Sequence, residues 1–186
     1  MTRRQVIDSL LGMLGPLGPF GDPAQREDEE AAWAAKAASD STTMTELLGL
    51  AHTPATANER GRVSEANFQS QLAHILALVG AHAPMKVLDG VGPLTQEPRA
   101  RATAIEVIGA IGEPAGLRWL DPLVDTAGLS EDEATSLACA LGEIGTAEAE
   151  VSLHRLRTNT PRDRASVHRE IQIAQEAILR RSAVRQ

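Results

Sequence analysis

The sequence predicts an all-α protein, and three observations support that fold class. Aromatic residues make up only 2% of the 186 residues, so the core has to be built from Leu, Ile, Val and Ala, which favour close helix packing. Long runs of β-branched and aromatic residues, the usual sign of strands, do not occur. The phrase IGAIG at residues 108–112 returns as LGEIG at residues 141–145, and a period of about 33 is typical of stacked helical hairpins.

Each glycine of the repeated phrase has a predicted role. The second residue of both copies (Gly109 and Gly142) should let neighbouring helix backbones approach closely, because it carries no side chain. The last residue of both copies (Gly112 and Gly145) can adopt the left-handed conformation that ends a helix. Because one hairpin cannot bury its apolar face alone, we expect the repeats to stack as a short right-handed α-solenoid.

Helix signals also divide the chain outside the repeated phrase. Apolar residues recur at helical spacing over residues 3–14, and a breaker-rich linker follows them. We therefore assign residues 1–22 to an N-terminal amphipathic helix with its Gly/Pro linker. Residues 23–186 are assigned to the repeat array with a C-terminal capping helix. The array begins with an Ala-rich helix, for which Asp22 is the predicted N-cap and Gln25 completes a capping box.

Four elements separate that Ala-rich helix from the first copy of the phrase. A short helix is predicted at residues 44–51, and the polar residues 52–62 predict a loop. Ser64 opens a helix that is expected to stop at Gly80, before a shorter partner helix. The apolar residues ahead of Gly80 lie about 32 residues before IGAIG, which makes this the first of three predicted hairpins. A fourth, less regular hairpin is predicted at about residues 23–51.

The C-terminal half holds the other two hairpins and a last helix. Ser130 and Glu133 predict a capping box at the start of the third hairpin. The pair Thr160-Pro161 is expected to open the last helix. The predicted helices of the two hairpins cover residues 98–108 with 114–125, and 130–141 with 146–157.

Charge is unevenly distributed along the chain. Residues 1–150 hold 10 Lys and Arg against 22 Asp and Glu, a balance of −12, whereas residues 151–186 hold 8 Arg against 3 acidic residues, a balance of +5. This predicts an acidic body with a basic C-terminal helix. No segment approaches the ~20 apolar residues that span a bilayer, so we expect a cytoplasmic protein without a membrane span. The paired Arg3-Arg4 leaves a twin-arginine export signal as an alternative.

The repeated segments resemble a known family. Residues 101–120 (RATAIEVIGAIGEPAGLRWL) and 134–153 (ATSLACALGEIGTAEAEVSL) are similar to the HEAT-like repeats of phycobilin lyases and many bacterial proteins. Arg101 lies seven residues before Ile108, where the family places an arginine, and Glu113-Pro114 replaces its Asp-Pro turn. The third hairpin departs from this pattern, with alanine at both places. The resemblance implies a HEAT-like fold in which the second helix of each hairpin lines a concave binding face.

No catalytic or metal-binding pattern is found in the sequence, and we predict neither an enzyme nor a bound cofactor. No two of the five histidines have the i, i+4 spacing of a helical metal site. Cys139 lies in the middle of a predicted helix and is expected to be a small buried hydrophobe. The acidic residues 131–133 follow the predicted N-cap Ser130, where carboxylates stabilise a helix start.

Binding is therefore the predicted activity, and another protein is the predicted partner. The resemblance implies partner-binding residues on the second helices, and Trp119 stands out because the other hairpins carry smaller side chains there; it either anchors the partner or fills a gap in the core. The candidate residues are Lys86, Asp89, Arg118, Trp119, Asp121, His154 and Arg155.

Three classes of function are compatible with this fold. The leading hypothesis is a protein-binding scaffold or adaptor, including a small inhibitor or immunity-type protein. A nucleic-acid-binding protein would need a concentrated basic field, which only the C-terminal arginines could supply. A bilin-lyase or chaperone-like protein is implied by the family name alone. The five arginines concerned in the second hypothesis are Arg162, Arg164, Arg169, Arg180 and Arg181.

Overall fold

The computed structural model describes residues 1–14 and 22–184, and it contains no strand within those ranges. The all-α prediction is therefore confirmed. The chain divides into two compact units, Met1–Val91 and Gly92–Gln186. The boundary predicted between residues 22 and 23 lies inside the first unit, and most of the predicted linker lies outside the described residues. No helix within the described ranges is long and apolar enough to cross a membrane.

The first unit is built around two long helices and the N-terminal helix. The N-terminal helix packs against the third and fifth helices, with Val6, Ile7 and Leu10 fully buried. Its Arg3 side chain donates to the carbonyl of Thr53 at 2.9 Å, so it takes part in the fold of this unit. The helices are α1 (Arg3–Leu14), α2 (Pro23–Ser39), α3 (Ser41–His52), α4 (Ala57–Arg60), α5 (Glu65–His82) and α6 (Pro84–Val91).

Local details of the first unit correct three predictions. Asp22 caps α2 as expected, but the Gln25 side chain donates to Glu29 at 3.0 Å, so no capping box forms there. Residues 52–62, predicted as a loop, contain α4, which begins with a capping box between Thr56 and Glu59. Helix α5 continues through Gly80 to His82, because Gly80 is buried in the helix instead of ending it.

The second unit contains the hairpins that carry the repeated phrase. Its long helices pack side by side. The helix over residues 131–144, which begins one hairpin, packs against the helix over residues 101–111, which begins the hairpin before it, and against the helix over residues 165–184. The helices are α7 (Arg101–Ile111), α8 (Leu117–Leu120), α9 (Glu131–Ile144), α10 (Ala147–Asn159) and α11 (Ala165–Val184), with 3₁₀ segments at Gly92–Gln96, Pro114–Gly116 and Asp121–Asp125.

The first helices of the second unit meet at what we call the Gly–Ala seam, which consists of Gly109 against Ala140 and Gly142 against Ala174. A Cβ atom on Gly109 would lie 2.6 Å from the Ala140 Cβ and 2.7 Å from its Cα. On Gly142 it would lie 2.7 Å from the Ala174 Cβ and 3.1 Å from its Cα. Contacts this short are repulsive, so the predicted close approach at both glycines is confirmed.

The turns after α7 and α9 also follow the prediction. Gly112 and Gly145 have φ of 68° and 66°, and both cap their helix in the left-handed conformation. Two boundaries differ from the sequence reading. The predicted helix 114–125 is split into 3₁₀ and α segments that include Pro122, which cannot donate a helical hydrogen bond. Thr160 ends α10, and the last helix begins at Ala165.

An arginine and a glutamate connect the starts of α7 and α9. The Arg101 Nη1 atom lies 3.4 Å from Glu133 Oε1, and the Arg101 Nε donates to the Thr95 carbonyl at 2.9 Å. Glu133 also completes the predicted capping box with Ser130. Both members of the Arg101–Glu133 pair are largely buried, which makes the pair part of the packing between the two helices.

Helix α11 has one buried and one exposed side. Gln172 donates to Glu176 at 3.0 Å, and Arg180 donates to the same carboxylate at 3.4 Å, on an exposed face. The same helix also exposes two large apolar side chains, Ile173 and Leu179. The buried residues of the helix follow helical spacing and are Val167, Ile171, Ala174 and Ile178.

Candidate partner-binding surface

The predicted partner-binding residues fall on both units. Lys86 and Asp89 lie on α6 of the first unit, where both are exposed and the opposite face of the helix is buried. The other five lie on the second helices of the second unit. Arg118 and Trp119 belong to α8, Asp121 begins the following 3₁₀ segment, and His154 and Arg155 belong to α10. Four of these five form two separate pairs: Arg118 lies over Trp119, and Asp121 accepts a hydrogen bond from Arg155.

The Trp119 side chain packs against its own unit. Its indole is half-buried and lies against Gly92, where an added Cβ would be 2.2 Å from the ring atom Cε2. The indole N–H is buried and has no hydrogen-bond partner in the described chain. The Arg118 guanidinium lies 5.1 Å from the ring centroid, a cation–π distance. The structure therefore favours the prediction that Trp119 fills a gap, with Arg118 covering its exposed face.

Asp121 and Arg155 are committed to contacts within the unit. Asp121 Oδ1 accepts hydrogen bonds from Ser152 Oγ at 2.5 Å and from Arg155 Nη1 at 2.8 Å. Arg155 also pairs with Asp125, which accepts a bond from Asn159 at 3.0 Å. We call this set the polar ladder, because it connects the second helices of two successive hairpins. Its members hold the hairpins together, whatever else they contact.

The polar ladder favours the ionised form of Asp121. The hydrogen bond from Ser152 and the charge of Arg155 lower the pKa of the Asp121 carboxyl, against the opposing effect of its partial burial. The carboxylate therefore stays ionised at neutral pH and below. A charged hydrogen-bond acceptor is stronger than a neutral one, which stabilises the ladder in its ionised form.

A surface groove that is not predicted from the sequence lies between α8 and α10. We call it the α8–α10 groove; its volume is about 260 Å³. Val151, which is 61% exposed, and half-buried Leu117 supply its apolar part. The spacing of Val151 from Leu153 could have indicated an outward-facing position, but a single exposed valine carries no functional signal in a sequence. The lining residues are Leu117, Asp121, Glu148, Val151 and Ser152.

Cys139 was expected to be buried, and that prediction is wrong. Its side chain is exposed and lines a second groove of about 420 Å³ between α7 and α9, together with Glu106 and Glu143. The Gly–Ala seam forces the two helices close together but leaves this outward position of α9 uncovered. Partial burial and the carboxylates of Glu170 and Glu143 raise the pKa of the thiol. The thiol is therefore protonated and a poor nucleophile at neutral pH.

Three of the five histidines contact neighbouring groups of the protein. His52 Nε2 lies 2.9 Å from the Gly90 carbonyl, and His168 Nε2 lies 3.1 Å from the Pro161 carbonyl. His74 Nε2 lies 3.0 Å from the buried carboxylate of Glu30. Within residues 1–14 and 22–184, no three His, Cys, Asp or Glu side chains are grouped so that they could hold a metal ion.

Three of the C-terminal arginines are engaged by groups of the protein itself. Arg164 donates to the Leu129 carbonyl at 2.9 Å, and Arg181 donates to the Glu143 carbonyl at 3.0 Å, near the C-terminus of α9. A cation there also stabilises the helix dipole. Arg180 pairs with Glu176. Among the five arginines named above, Arg162 and Arg169 are the two with exposed side chains and no ion pair in the described structure.

The functional meaning of this surface has to come from the residues themselves. No family model, curated protein or solved structure matches the chain.

Proposed function

We propose that this protein is a non-catalytic scaffold or adaptor that binds another protein through the second helices of a short, right-handed HEAT-like solenoid. An inhibitor or immunity-type protein is included in this proposal. The observation that carries it is the repetition of the Gly–Ala seam, in which Gly109–Ala140 and Gly142–Ala174 join successive first helices in the same way. A stack joined along its first helices leaves the second helices available for binding.

The second helices support the proposal in their composition. Arg118 and His154 are exposed, and Val151 adds an apolar side chain to the same pair of helices. A mixed polar and apolar surface on a rigid scaffold is typical of non-obligate protein interfaces. The polar ladder connects these helices, because Arg155 bridges two carboxylates on the preceding hairpin.

The arginine contacts favour this function over nucleic-acid binding. Affinity for phosphates needs several basic side chains that act together. Arg164 and Arg181 donate to backbone carbonyls of their own unit, and Arg180 is paired with Glu176. Arg180 is the one of the five whose charge is balanced by an ion pair in the described structure, but the whole chain carries a net charge of −7, which opposes the approach of a phosphate backbone.

The proposal is tested by capturing the partner and mapping its contacts. The full chain is used as bait in an extract of its native host, and the affinity of the recovered protein is measured by calorimetry. We expect the double variant Arg118→Ala/His154→Ala to weaken binding by at least about 2 kcal/mol, because both side chains are exposed on the second helices. Arg169→Ala, which removes an exposed side chain of α11, is the matched control. Equal loss in both variants, or in neither, would contradict the proposal.

A further inference from the structure

The α8–α10 groove contains an apolar side chain that the fold itself does not use. Val151 is the most exposed large hydrophobic side chain in the described structure, at 61%. In the preceding hairpin the equivalent position, 33 residues earlier, is Arg118. The change from arginine to valine exposes apolar surface next to a cavity of about 260 Å³, which is large enough for one aliphatic side chain. Leu117, half-buried, extends this surface into the groove.

The rim of the groove has an excess of negative charge. Asp121 and Asp125 share the single guanidinium of Arg155, which leaves one negative charge in that cluster. Glu148 lines the groove, is exposed, and has no ion pair with any residue of the described ranges. The cation of α8, Arg118, lies over the Trp119 ring. The groove therefore combines an apolar floor with an acidic rim.

We propose that the α8–α10 groove binds an aliphatic side chain of a partner protein whose neighbouring residue is a lysine or an arginine. The aliphatic group would cover Val151 and Leu117, and the cation would lie beside Glu148 and Asp121. The apolar contact supplies most of the affinity, while the charge pair on the rim selects the sequence of the partner. This inference rests on the proposed protein-binding function and defines the chemistry that the partner must present.

Synthetic peptides test the inference directly on the full chain. Three fluorescent helical peptides of about 15 residues are identical except at two positions four apart, which hold Leu and Lys, Leu and Glu, or Ala and Lys. Anisotropy measures their affinities, and methyl NMR spectra follow Leu117 and Val151. We expect the Leu–Lys peptide to bind most tightly and to shift both methyl signals. Each of the other two peptides should bind about tenfold more weakly.

Variants assign the binding to the groove. Val151→Ser should weaken the Leu–Lys peptide about tenfold, and Glu148→Gln should reduce the preference for Leu–Lys over Leu–Glu about threefold. Leu179→Ser is the matched control, because Leu179 is 59% exposed on α11 and lies outside the groove. The affinity of the Leu179→Ser variant for the Leu–Lys peptide should equal that of the unchanged protein.

Several results would overturn the inference. It fails if the three peptides bind alike, or if Val151→Ser leaves the Leu–Lys affinity unchanged. It also fails if sedimentation shows a dimer that Val151→Ser dissociates, since the groove would then bind a second copy of this chain. A native partner that binds Val151→Ser and Glu148→Gln with full affinity would refute the groove while supporting the proposed function. Absence of any stoichiometric native partner would instead count against the proposed function.

Discussion

The two units bring their long helices together in different ways. In the second unit, α9 meets α7 and α11 through backbone and methyl groups at the Gly–Ala seam. In the first unit, α5 meets α2 partly through polar side chains: Glu30, which is 6% exposed, accepts a bond from Gln71 at 2.9 Å and lies 3.0 Å from His74 Nε2. The contact in the second unit depends on glycines that carry no side chain, whereas the contact in the first unit depends on polar side chains that bond to one another. The two units therefore use different chemistry to pack their long helices.

The residues that end the long helices also differ between the two units. Helices α7 and α9 end at left-handed glycines, Gly112 and Gly145. Helix α5 continues past Gly80 and is capped by Ala83, which has a φ of −141°. The glycine that aligns with the repeated phrase in the first unit is therefore not a turn residue. Substitutions at glycines are the most direct way to test how far the two units differ.

The largest expected effect is that of Gly109→Val. The first atom of the new side chain would lie 2.7 Å from the Ala140 Cα, so the backbones of α7 and α9 must separate. We expect a loss of about 3 kcal/mol or more in the free energy of unfolding, the upper range of overpacking. Urea unfolding followed by circular dichroism measures it.

Gly49→Val in α3 of the first unit is the matched control for that variant. No atom lies within 4 Å of a Cβ built on Gly49, so valine meets open space there. Its helix propensity is close to that of glycine, and the stability should change by less than about 0.5 kcal/mol. If Gly109→Val melts within about 1 °C of the unchanged protein, the assigned register of the seam is wrong.

Trp119→Ala should have the next largest effect. The indole packs against Gly92, and its removal leaves a cavity in a half-buried site. We expect a loss of about 2–3 kcal/mol, below the range for a fully buried tryptophan. Trp119→Phe keeps most of the packing and should lose about half as much. Thermal melting and partner titration of both variants separate the two roles: lost binding with unchanged stability would make Trp119 an anchor for the partner instead.

The polar ladder gives the second unit a pH-dependent contact. The folded-state pKa of Asp121 lies below its ordinary value of 3.8, so its contribution is present above that pH and is lost as pH falls through the lowered pKa. Asp121→Asn should cost about 1 kcal/mol at pH 7. The difference between variant and unchanged protein should shrink as pH falls from about 5 towards 2.

Asp8→Asn in the first unit is the control for the ladder. Asp8 pairs with Arg4 one turn away on the exposed side of α1, and such pairs contribute about 0.5 kcal/mol or less. Chemical denaturation at a series of pH values compares the two variants. A constant difference between Asp121→Asn and the unchanged protein over the whole pH range would show that the ladder does not depend on the Asp121 charge.

Features that depend on local backbone geometry are predicted from the sequence. Side-chain contacts between segments that are distant in the chain are not. The all-α class, the capping box of Ser130 and the left-handed Gly112 and Gly145 follow from local rules. The exposure of Cys139 does not, because a mid-helix position is buried or exposed according to which helices pack around it. The polar ladder was also missed, since Asp121 and Ser152 come from different hairpins and no local spacing connects them.

The smallest predicted effect has the opposite sign. Gly49 lies inside α3 with an ordinary helical backbone and open space around its missing Cβ. Alanine there restricts the unfolded chain without any clash, so Gly49→Ala should stabilise the protein by about 0.5–1 kcal/mol. Gly142→Ala makes the same chemical change at the seam, where the new methyl would lie 2.7 Å from the Ala174 Cβ. It should destabilise by about 1 kcal/mol or more. Calorimetric melting of the pair decides the matter: two shifts of the same sign would mean that helix propensity, and not the close approach of α9 and α11, determines what a glycine contributes in this protein.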